Sequence, residues 1–324
     1  MSYDSRTLPA SLPALDHTQI DTLTLLDHRG VDWSRVERTV YLIHQRLRYE
    51  YPGPIDDLDH CLMIVPPERH GDQRRLAYRL VVSDAGAETT CGQDDFGNLV
   101  LEVRAARVDR SIDFEAWIAV ERRRDHGQRR IHTASLADPR WLQPSSLTQP
   151  NAALRQAAAG QAATGARGLD LADLINERVH RAIRYASGVT GIRTTAARAL
   201  ALGRGVCQDY AHVMLAICRL CGLPARYVSG HLLGEGGTHA WVEVLLPAPE
   251  APGETVAIPF DPTHGRRAGL SYLTVAVGRD YLDVPPTSGT FRASYRGHLS
   301  ARKRVGLTEV HYACEDARSE QSYA

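Results

Sequence analysis

One cysteine of this sequence lies where a nucleophilic thiol would be expected. Cys207 follows a glycine-flanked turn, residues 203–205, and opens an amphipathic segment that predicts a helix up to Cys221. A thiol at the first turn of a helix lies beside the positive end of the helix dipole and beside unpaired backbone N–H groups. Both favour the thiolate, which is the reactive form of cysteine. The alternative for a cysteine taken alone is a buried and unreactive side chain.

Two later residues supply a base for that thiol and a group that would orient the base. His239 begins the strand-like run of residues 238–244 after a glycine-rich turn, and Asp261 follows the next predicted strand. If these strands are neighbours, Asp261 accepts the second ring N–H of His239 and fixes its tautomer. An exposed histidine and an aspartate that merely begins a turn are the alternatives for each residue taken singly. The order cysteine, histidine, aspartate on a helix start and two strands favours a triad.

Other histidines and cysteines fit this chemistry less well. His212 lies five positions after Cys207, which is about 140° around a helix, so it cannot face the same substrate and is predicted to be structural. Cys218 and Cys221 form a C-x-x-C pair inside the predicted helix, and no second cysteine pair follows at zinc-site spacing. We predict core packing for this pair, and neither a metal site nor a cofactor.

Three motifs around these residues resemble the core motifs of the bacterial transglutaminase-like superfamily. They are Gly-Val-Cys-Gln-Asp-Tyr-Ala over 205–211, His-Ala-Trp-Val-Glu over 239–243 and Asp-Pro-Thr over 261–263. The resemblance covers about residues 170–300. It implies a papain-like α+β core in which Cys207 is the nucleophile, His239 the base and Asp261 the orienting residue.

The first part of the chain also resembles the N-terminal β region that accompanies this core in bacteria, through Tyr-Glu-Tyr-Pro over 49–52 and Asp-Phe-Gly-Asn over 95–98. Two departures from the family pattern stand out. Val206 and Gln208 flank the nucleophile where the cross-linking enzymes of animals have glutamine and tryptophan, which weakens the case for calcium-dependent cross-linking. His264 stands where many bacterial relatives carry asparagine; it could contact substrate, donate a hydrogen bond to a residue of the site or lie at the surface, and we favour a surface residue.

The elements that must position these residues follow from apolar spacing and turn signals. Helices are predicted over 171–185, 194–202 and 207–221, and strands over 225–233, 238–246 and 255–260, an order typical of the α+β class. Earlier, short strand-like runs such as 36–50 are separated by proline and glycine turns, which indicates an all-β sandwich-like domain. The predicted division is a leader over 1–30, an N-terminal β domain over 31–135, a linker over 136–168, a catalytic domain over 169–300 and a C-terminal tail over 301–324.

Composition excludes several classes of protein. The 324 residues are 43% hydrophobic and 23% charged, with 38 basic and 38 acidic side chains. A chain without a basic excess is a poor candidate for nucleic-acid or anionic-membrane binding. No apolar run approaches a membrane span, and residues 1–19 lack the features of a secretory signal. Six scattered cysteines do not suggest a disulfide framework, so we expect a cytoplasmic protein. The oligomeric state is not indicated.

The leading prediction is a thiol-dependent hydrolase that cleaves amide or isopeptide bonds of a peptide or protein through an acyl-enzyme. The backbone N–H of Cys207 would donate to the oxyanion, and the sequence does not identify a second donor. Transglutaminase-type transfer to an amine is an alternative, because the outcome depends on how well the site excludes water and binds an amine. A non-catalytic peptide-binding module on the same fold is a further alternative, and the intact triad argues against it.

Overall fold

The computed structural model describes residues 25–124, 129–131, 134–248, 251 and 253–313. Its first part consists of strands joined by short turns, as the turn signals predict. These strands are β1 (Val36–Glu50), β2 (Ile55–Leu62), β3 (Arg69–His70), β4 (Gln73–Val82), β5 (Glu88–Gln93), β6 (Leu99–Val108) and β7 (Ser111–Arg123). The strand predicted over 36–50 is confirmed as β1.

The second part contains the helices and most of the remaining strands. The helices are α1 (Ala134–Ala137), α2 (Ala152–Ala162), α3 (Gly168–Ala182), α4 (Ala196–Leu202) and α5 (Cys207–Leu220). The strands are β8 (Arg129–Ile131), β9 (Arg184–Tyr185), β10 (Arg204–Gly205), β11 (Ala225–Leu232), β12 (His239–Pro247), β13 (Thr255–Asp261), β14 (Arg266–Arg267), β15 (Tyr272–Gly278), β16 (Thr287–Arg292) and β17 (His298–Tyr312). The three predicted helices and three predicted strands are confirmed within a few residues at each end.

Two antiparallel sheets form a β sandwich. One has the strand order β17-β1-β7-β4-β3 and the other β16-β2-β6-β5. Alternate side chains of facing strands fill the space between them, and Ile43, Leu62, Leu101 and Phe114 are among the buried members of one apolar cluster. The predicted fold class, an all-β sandwich-like domain followed by an α+β core, is confirmed.

The sandwich differs from its predicted boundaries at both ends. Residues 301–312 of the predicted tail belong to β17, which pairs with β1 from Glu50 to Val36, and residues 314–324 lie outside the described residues. Strand β16 completes the second sheet against β2. Residues 129–131, predicted in the β domain, pair instead with β13 of the core sheet. Of the predicted leader, residues 1–24 lie outside the described residues, and Leu26 forms a bridge with Leu307.

The segment 136–168, predicted as a linker, is part of the packed core. Its helix α2 buries Leu154 against the cluster that includes the central helix. Arg219, near the end of α5, is itself buried and donates hydrogen bonds to the carbonyl of Trp141 and to Thr148 Oγ1. Alanine-rich composition made this segment appear weakly structured, but small side chains allow α2 to approach the neighbouring helices closely.

Helix α5 is the central element of the α+β core. It packs against the sheet of order β14-β13-β12-β11-β15, to which β8 adds beside β13. Its residues from Gln208 to Arg219 are all buried, so the helix is enclosed by protein along most of its length. Its first residue, Cys207, and its last, Leu220, are partly exposed. Among the described residues, no helix has the length and apolar character needed to span a bilayer.

Side-chain amides join the sandwich to the edge of the core sheet. Gln73 donates to the carbonyl of Thr274 at 2.7 Å and accepts from its N–H at 2.9 Å. Asn98 makes the same pair of bonds with Val277, each at 2.8 Å. Both partners lie on β15, the last strand of the core sheet. These amides satisfy backbone groups that an edge strand would otherwise leave unpaired.

Candidate active site

Cys207 is the first residue of α5, and its side chain is partly exposed. The carboxylate of Asp209, two residues later, accepts a hydrogen bond from the N–H of Val206 at 2.8 Å. Gly205 lies directly against this carboxylate, and a Cβ at that position would come within 2.5 Å of Asp209 Oδ2. The short motif around the cysteine therefore fixes the start of the helix at the thiol.

His239 and Asp261 meet at the ends of two paired strands. His239 begins β12, Asp261 ends β13, and the strands are antiparallel with Val242 opposite Phe260. His239 Nε2 lies 2.8 Å from Asp261 Oδ2, and both side chains are buried. The thiol of Cys207 interacts with the same ring and contributes to raising its pKa. The structure brings the three predicted residues together, and their catalytic roles stay a prediction.

The surroundings of His239 favour its charged form. Burial lowers the pKa of the ring, but hydrogen bonds with Asp261, Cys207 and Glu235 outweigh burial and raise the pKa to about 11. The charged ring therefore lies beside the thiol at neutral pH.

Asp261 is held by more partners than the sequence suggests. Tyr272 donates its hydroxyl to Oδ2 at 2.7 Å, and the N–H of Thr263 donates to Oδ1 at 2.9 Å. Burial raises the pKa of this carboxyl, but hydrogen bonds from His239, His264 and Tyr272 hold it well below its usual range. The carboxylate is thus fixed in charge and in orientation, as an orienting residue requires.

His264 is more than the surface residue that we expected. Its side chain is 36% exposed, but Nδ1 lies 2.6 Å from Asp261 Oδ2. The turn of residues 262–265 brings it back onto the aspartate, three positions earlier. The spacing Asp-Pro-Thr-His was the available signal, because an aspartate that begins a turn often bonds to groups two or three residues on.

Glu235 and Tyr185 lie at the mouth of the site and were not identified from sequence. Glu235 Oε2 is 3.2 Å from His239 Nδ1, and the glutamate side chain is 38% exposed. Burial raises the pKa of Tyr185, and the phenol also interacts electrostatically with Cys207 and Glu235. The sequence gives no signal for either position, because Glu235 lies in a loop and Tyr185 in a strand of only two residues.

The remaining candidates lie away from the thiol. His212 is fully buried, accepts a hydrogen bond from the N–H of Tyr281 at 3.2 Å, and has a pKa lowered to about 4 by burial. Cys218 is buried in the core, and burial raises its pKa well above the usual value. Their places agree with the structural roles predicted for them.

Three of these side chains also have the chemistry of metal ligands. The ligand atoms of His239, Asp261 and His264 lie within 4.8 Å of one another. Both imidazoles direct a nitrogen at the same oxygen, Asp261 Oδ2, which also receives the hydroxyl of Tyr272. Hydrogen bonds to Asp261 Oδ2 account for this geometry, and the reaction proposed for the site uses no metal.

Comparisons with known proteins agree with this architecture. Residues 155–255 match the model of the transglutaminase-like superfamily, and residues 41–121 match the bacterial transglutaminase-like N-terminal region. Cys207 and His239 lie within the first span, and Asp261 lies just beyond it.

Sequence relatives come from mycobacteria. An uncharacterized protein of Mycobacterium tuberculosis H37Rv is 26% identical over 279 residues, which cover 77% of this chain and 86% of the relative. An uncharacterized protein of Mycobacterium leprae is 36% identical over 136 residues, which cover 39% of this chain and 45% of the relative.

A solved structure shows the same fold. It is a candidate cysteine protease from Cytophaga hutchinsonii, similar with a TM-score of 0.69 and 19% identity over 86% of this chain and 94% of that one. The match spans both the sandwich and the core. The chain therefore carries a transglutaminase-like core preceded by a bacterial transglutaminase-like N-terminal region.

Proposed function

We propose that the protein is a thiol-dependent hydrolase that cleaves amide or isopeptide bonds in a peptide or protein. The observation that supports this most directly is the bond of His239 Nε2 to buried Asp261 at 2.8 Å, in a ring that also interacts with Cys207 at the start of α5. A nucleophile, a base and an orienting group within hydrogen-bond reach form the recurring machinery of acyl-group enzymes. A peptide-binding module would have no need of all three.

In the proposed reaction, the sulfur of Cys207 attacks the carbonyl carbon of the scissile bond. The N–H of Cys207, at the positive end of the helix, donates to the oxyanion that forms. The C–N bond then breaks as His239 gives its Nδ1 proton to the leaving amine, and a thioester remains. Water attacks the thioester, His239 takes a proton from it, and release of the carboxylic acid restores the thiol. Asp261 holds the ring throughout and stabilises the imidazolium.

The experiment that tests this proposal is capture of the acyl-enzyme from a peptide library, with the mass of the intact protein as the readout. We expect a mass increase on Cys207 that disappears when water completes the reaction. Cys207→Ala is the matched negative control, and Cys218→Ala the matched positive control. An adduct that forms equally on Cys207→Ala, or no adduct and no product from any peptide, would contradict the proposal.

The same assay distinguishes hydrolysis from transfer. A labelled primary amine is added with and without calcium, and products are identified by mass. We expect a free carboxylate as the main product, because Val206 and Gln208 depart from the motif of the cross-linking enzymes. Robust incorporation of the amine that is lost in Cys207→Ala would show transfer instead, and a need for calcium would contradict the absence of a metal from the proposed reaction.

We also propose a reducing compartment, the cytoplasm, as the site of action. The five cysteines within the described residues all carry free thiols, and a thiol nucleophile depends on remaining reduced. Fractionation of cells that produce the protein is the test. Recovery with periplasmic or secreted markers would contradict this placement.

A further inference from the structure

Two imidazoles and two carboxylates form a closed ring at the site. His239 joins Asp261 through Nε2 at 2.8 Å and Glu235 through Nδ1 at 3.2 Å. His264 joins the same two carboxylates, Asp261 through Nδ1 at 2.6 Å and Glu235 through Nε2 at 3.5 Å. Asp261 is buried and immobilised by its many partners, whereas Glu235 is 38% exposed. Of the two carboxylates, Glu235 is therefore the one that is free to move away.

Glu235 lies against the nitrogen of His239 that the proposed chemistry needs. Asp261 is bonded to Nε2 of His239, so Nδ1 is the nitrogen left to serve the thiol of Cys207 and the leaving amine. Glu235 lies against the same Nδ1. With the carboxylate in place, the Nδ1 proton is shared with an anion, and a leaving amine cannot approach along the same direction.

The segment that carries Glu235 is built to move. Gly234 has φ +91°, a left-handed conformation that strains other residues, and a Cβ there would lie 2.9 Å from His28 Nε2. Gly236 and Gly237 face open space. Four residues with three glycines make a short segment that can change conformation at little cost.

The β sandwich holds this segment from one side. Lys303, on β17, donates a hydrogen bond to the carbonyl of Gly237 and contacts His231 Nδ1 at 2.9 Å. It is the only lysine of the chain. Its ammonium also interacts by charge with Glu235 and with Cys207. The last strand of the sandwich thus contacts the glycine segment next to the thiol.

We propose that residues 234–237 form a gate over the thiol, in which Glu235 covers His239 Nδ1 in the resting protein and Lys303 is the positioning residue that keeps the gate closed. Substrate enters by displacing Glu235, which frees Nδ1 for the leaving amine. The inference rests on the proposed role of Cys207 as nucleophile. Its test measures thiol alkylation, which requires no substrate.

The first test compares two alkylating agents of nearly equal size, iodoacetate with a negative charge and neutral iodoacetamide. Their rate ratio on Cys207 cancels the fraction of thiolate and reports the local charge. We expect Glu235→Gln to raise the ratio of the iodoacetate rate to the iodoacetamide rate about fivefold, as loss of one nearby negative charge predicts. Glu102→Gln is the matched control and should leave the ratio unchanged, because Glu102 lies on β6 of the sandwich and is ion-paired with Arg104.

The second test measures access. The iodoacetamide rate is followed with pH to its plateau, where the thiol is fully ionised and the rate reports how open the site is. We expect Glu235→Ala to raise the plateau about tenfold, the factor that one charge-assisted hydrogen bond supplies. Lys303→Met should raise it in the same direction, and Lys303→Arg should restore most of the slow rate. Arg302→Met, the adjacent exposed cation on β17, should have no effect.

The third test asks whether Lys303 acts through the gate. Lys303→Met should add nothing further to the plateau in a Glu235→Ala background, because an absent carboxylate has no closed position. Independent and additive effects would overturn the positioning role of Lys303. An unchanged ratio in Glu235→Gln together with an unchanged plateau in Glu235→Ala would overturn the gate.

These outcomes also separate the gate from the proposed function. Preferential alkylation of Cys207 with no response to Glu235 variants would refute the gate and leave the hydrolase intact. Slow alkylation of Cys207 in every variant, no faster than buried Cys218, would argue against a nucleophilic thiol and would overturn both.

Discussion

The first turn of α5 holds Cys207 partly exposed beside His239, whereas the last turn holds Cys218 buried among apolar residues of the core. Burial raises the pKa of Cys218 well above its usual value, and the negative end of the helix dipole disfavours a thiolate there as well. The two cysteines of this helix thus have opposite surroundings: Cys207 is partly exposed beside a charged ring, and Cys218 is buried among apolar side chains. The reactivity proposed for Cys207 depends on the helix start and on two strands distant in sequence, and not on the thiol alone.

The largest expected difference between the two cysteines is in the rate of hydrolysis when each is replaced by alanine. We expect Cys207→Ala to lower the rate of amide hydrolysis by roughly 10⁶-fold, because loss of the nucleophile removes the covalent route. Cys218→Ala should stay within about twofold of wild type. Initial rates on a captured peptide substrate provide the measurement, and equal rates for the two variants would remove the distinction.

The next largest effect is expected at the residue that orients the base. Asp261→Asn should lower the turnover rate by roughly 10⁴-fold, since an amide in this place presents the wrong hydrogen-bonding group to His239 Nε2. Circular dichroism should still show a folded protein, although loss of the buried charge beside His239 lowers the free energy of unfolding. Tyr272→Phe, which removes one of the donors to the same carboxylate, is the matched control with a milder loss.

The order of the two cysteines should reverse when stability is measured, with the larger loss at Cys218. Cys218→Ala is expected to lower the free energy of unfolding by about 1–2 kcal/mol, because it leaves a small cavity in a fully buried place. Cys207→Ala should cost less than about 1 kcal/mol, since its side chain is partly exposed. Urea unfolding of both variants gives the difference. A larger loss for Cys207→Ala would mean that the thiol is part of the packed core.

The smallest expected effect is a dependence of stability on pH. The folded pKa of His239, about 11, lies above its ordinary value of 6.5, so the stabilisation from the charged ring is complete below pH 6.5 and is lost as pH rises toward 11. Asp261 is shifted downward, so its contribution is present above pH 3.8 and is lost as pH falls below it. The difference in unfolding free energy between wild type and His239→Gln should be largest between these ordinary values and shrink in alkali. A difference that grows with pH would contradict the charge assigned to the ring.

Sequence reasoning located the candidate triad because each member lies at the boundary of an element. A glycine turn precedes Cys207, β12 begins at His239 and β13 ends at Asp261, and boundaries of this kind are marked by residue type. No comparable pattern of residue types identifies Tyr272 or Glu235. Their contacts depend on how a hairpin returns and how a glycine segment folds back, and neither is encoded in local spacing.

The position of β17 was missed for a different reason. Only two of its fifteen residues, from His298 to Tyr312, are buried after pairing, and eight remain exposed. A strand at the edge of a sheet, with so little of one face buried, shows no clear alternation of apolar and polar residues. What places it is backbone pairing with β1, and such pairing across the whole chain cannot be seen in a local pattern.

The pairing of β17 with β1 also sets an order of events during synthesis. Roughly 250 residues separate the two strands, and at about 5–20 residues per second the ribosome needs about 10–50 s to make them. Throughout that interval β1 has one edge without its partner, and an unpaired edge recruits other chains. The sandwich is therefore the first domain begun and the last completed. The glycine segment beside the thiol receives Lys303 only after β17 has been made, so a nascent or truncated chain would carry the triad without its final anchor.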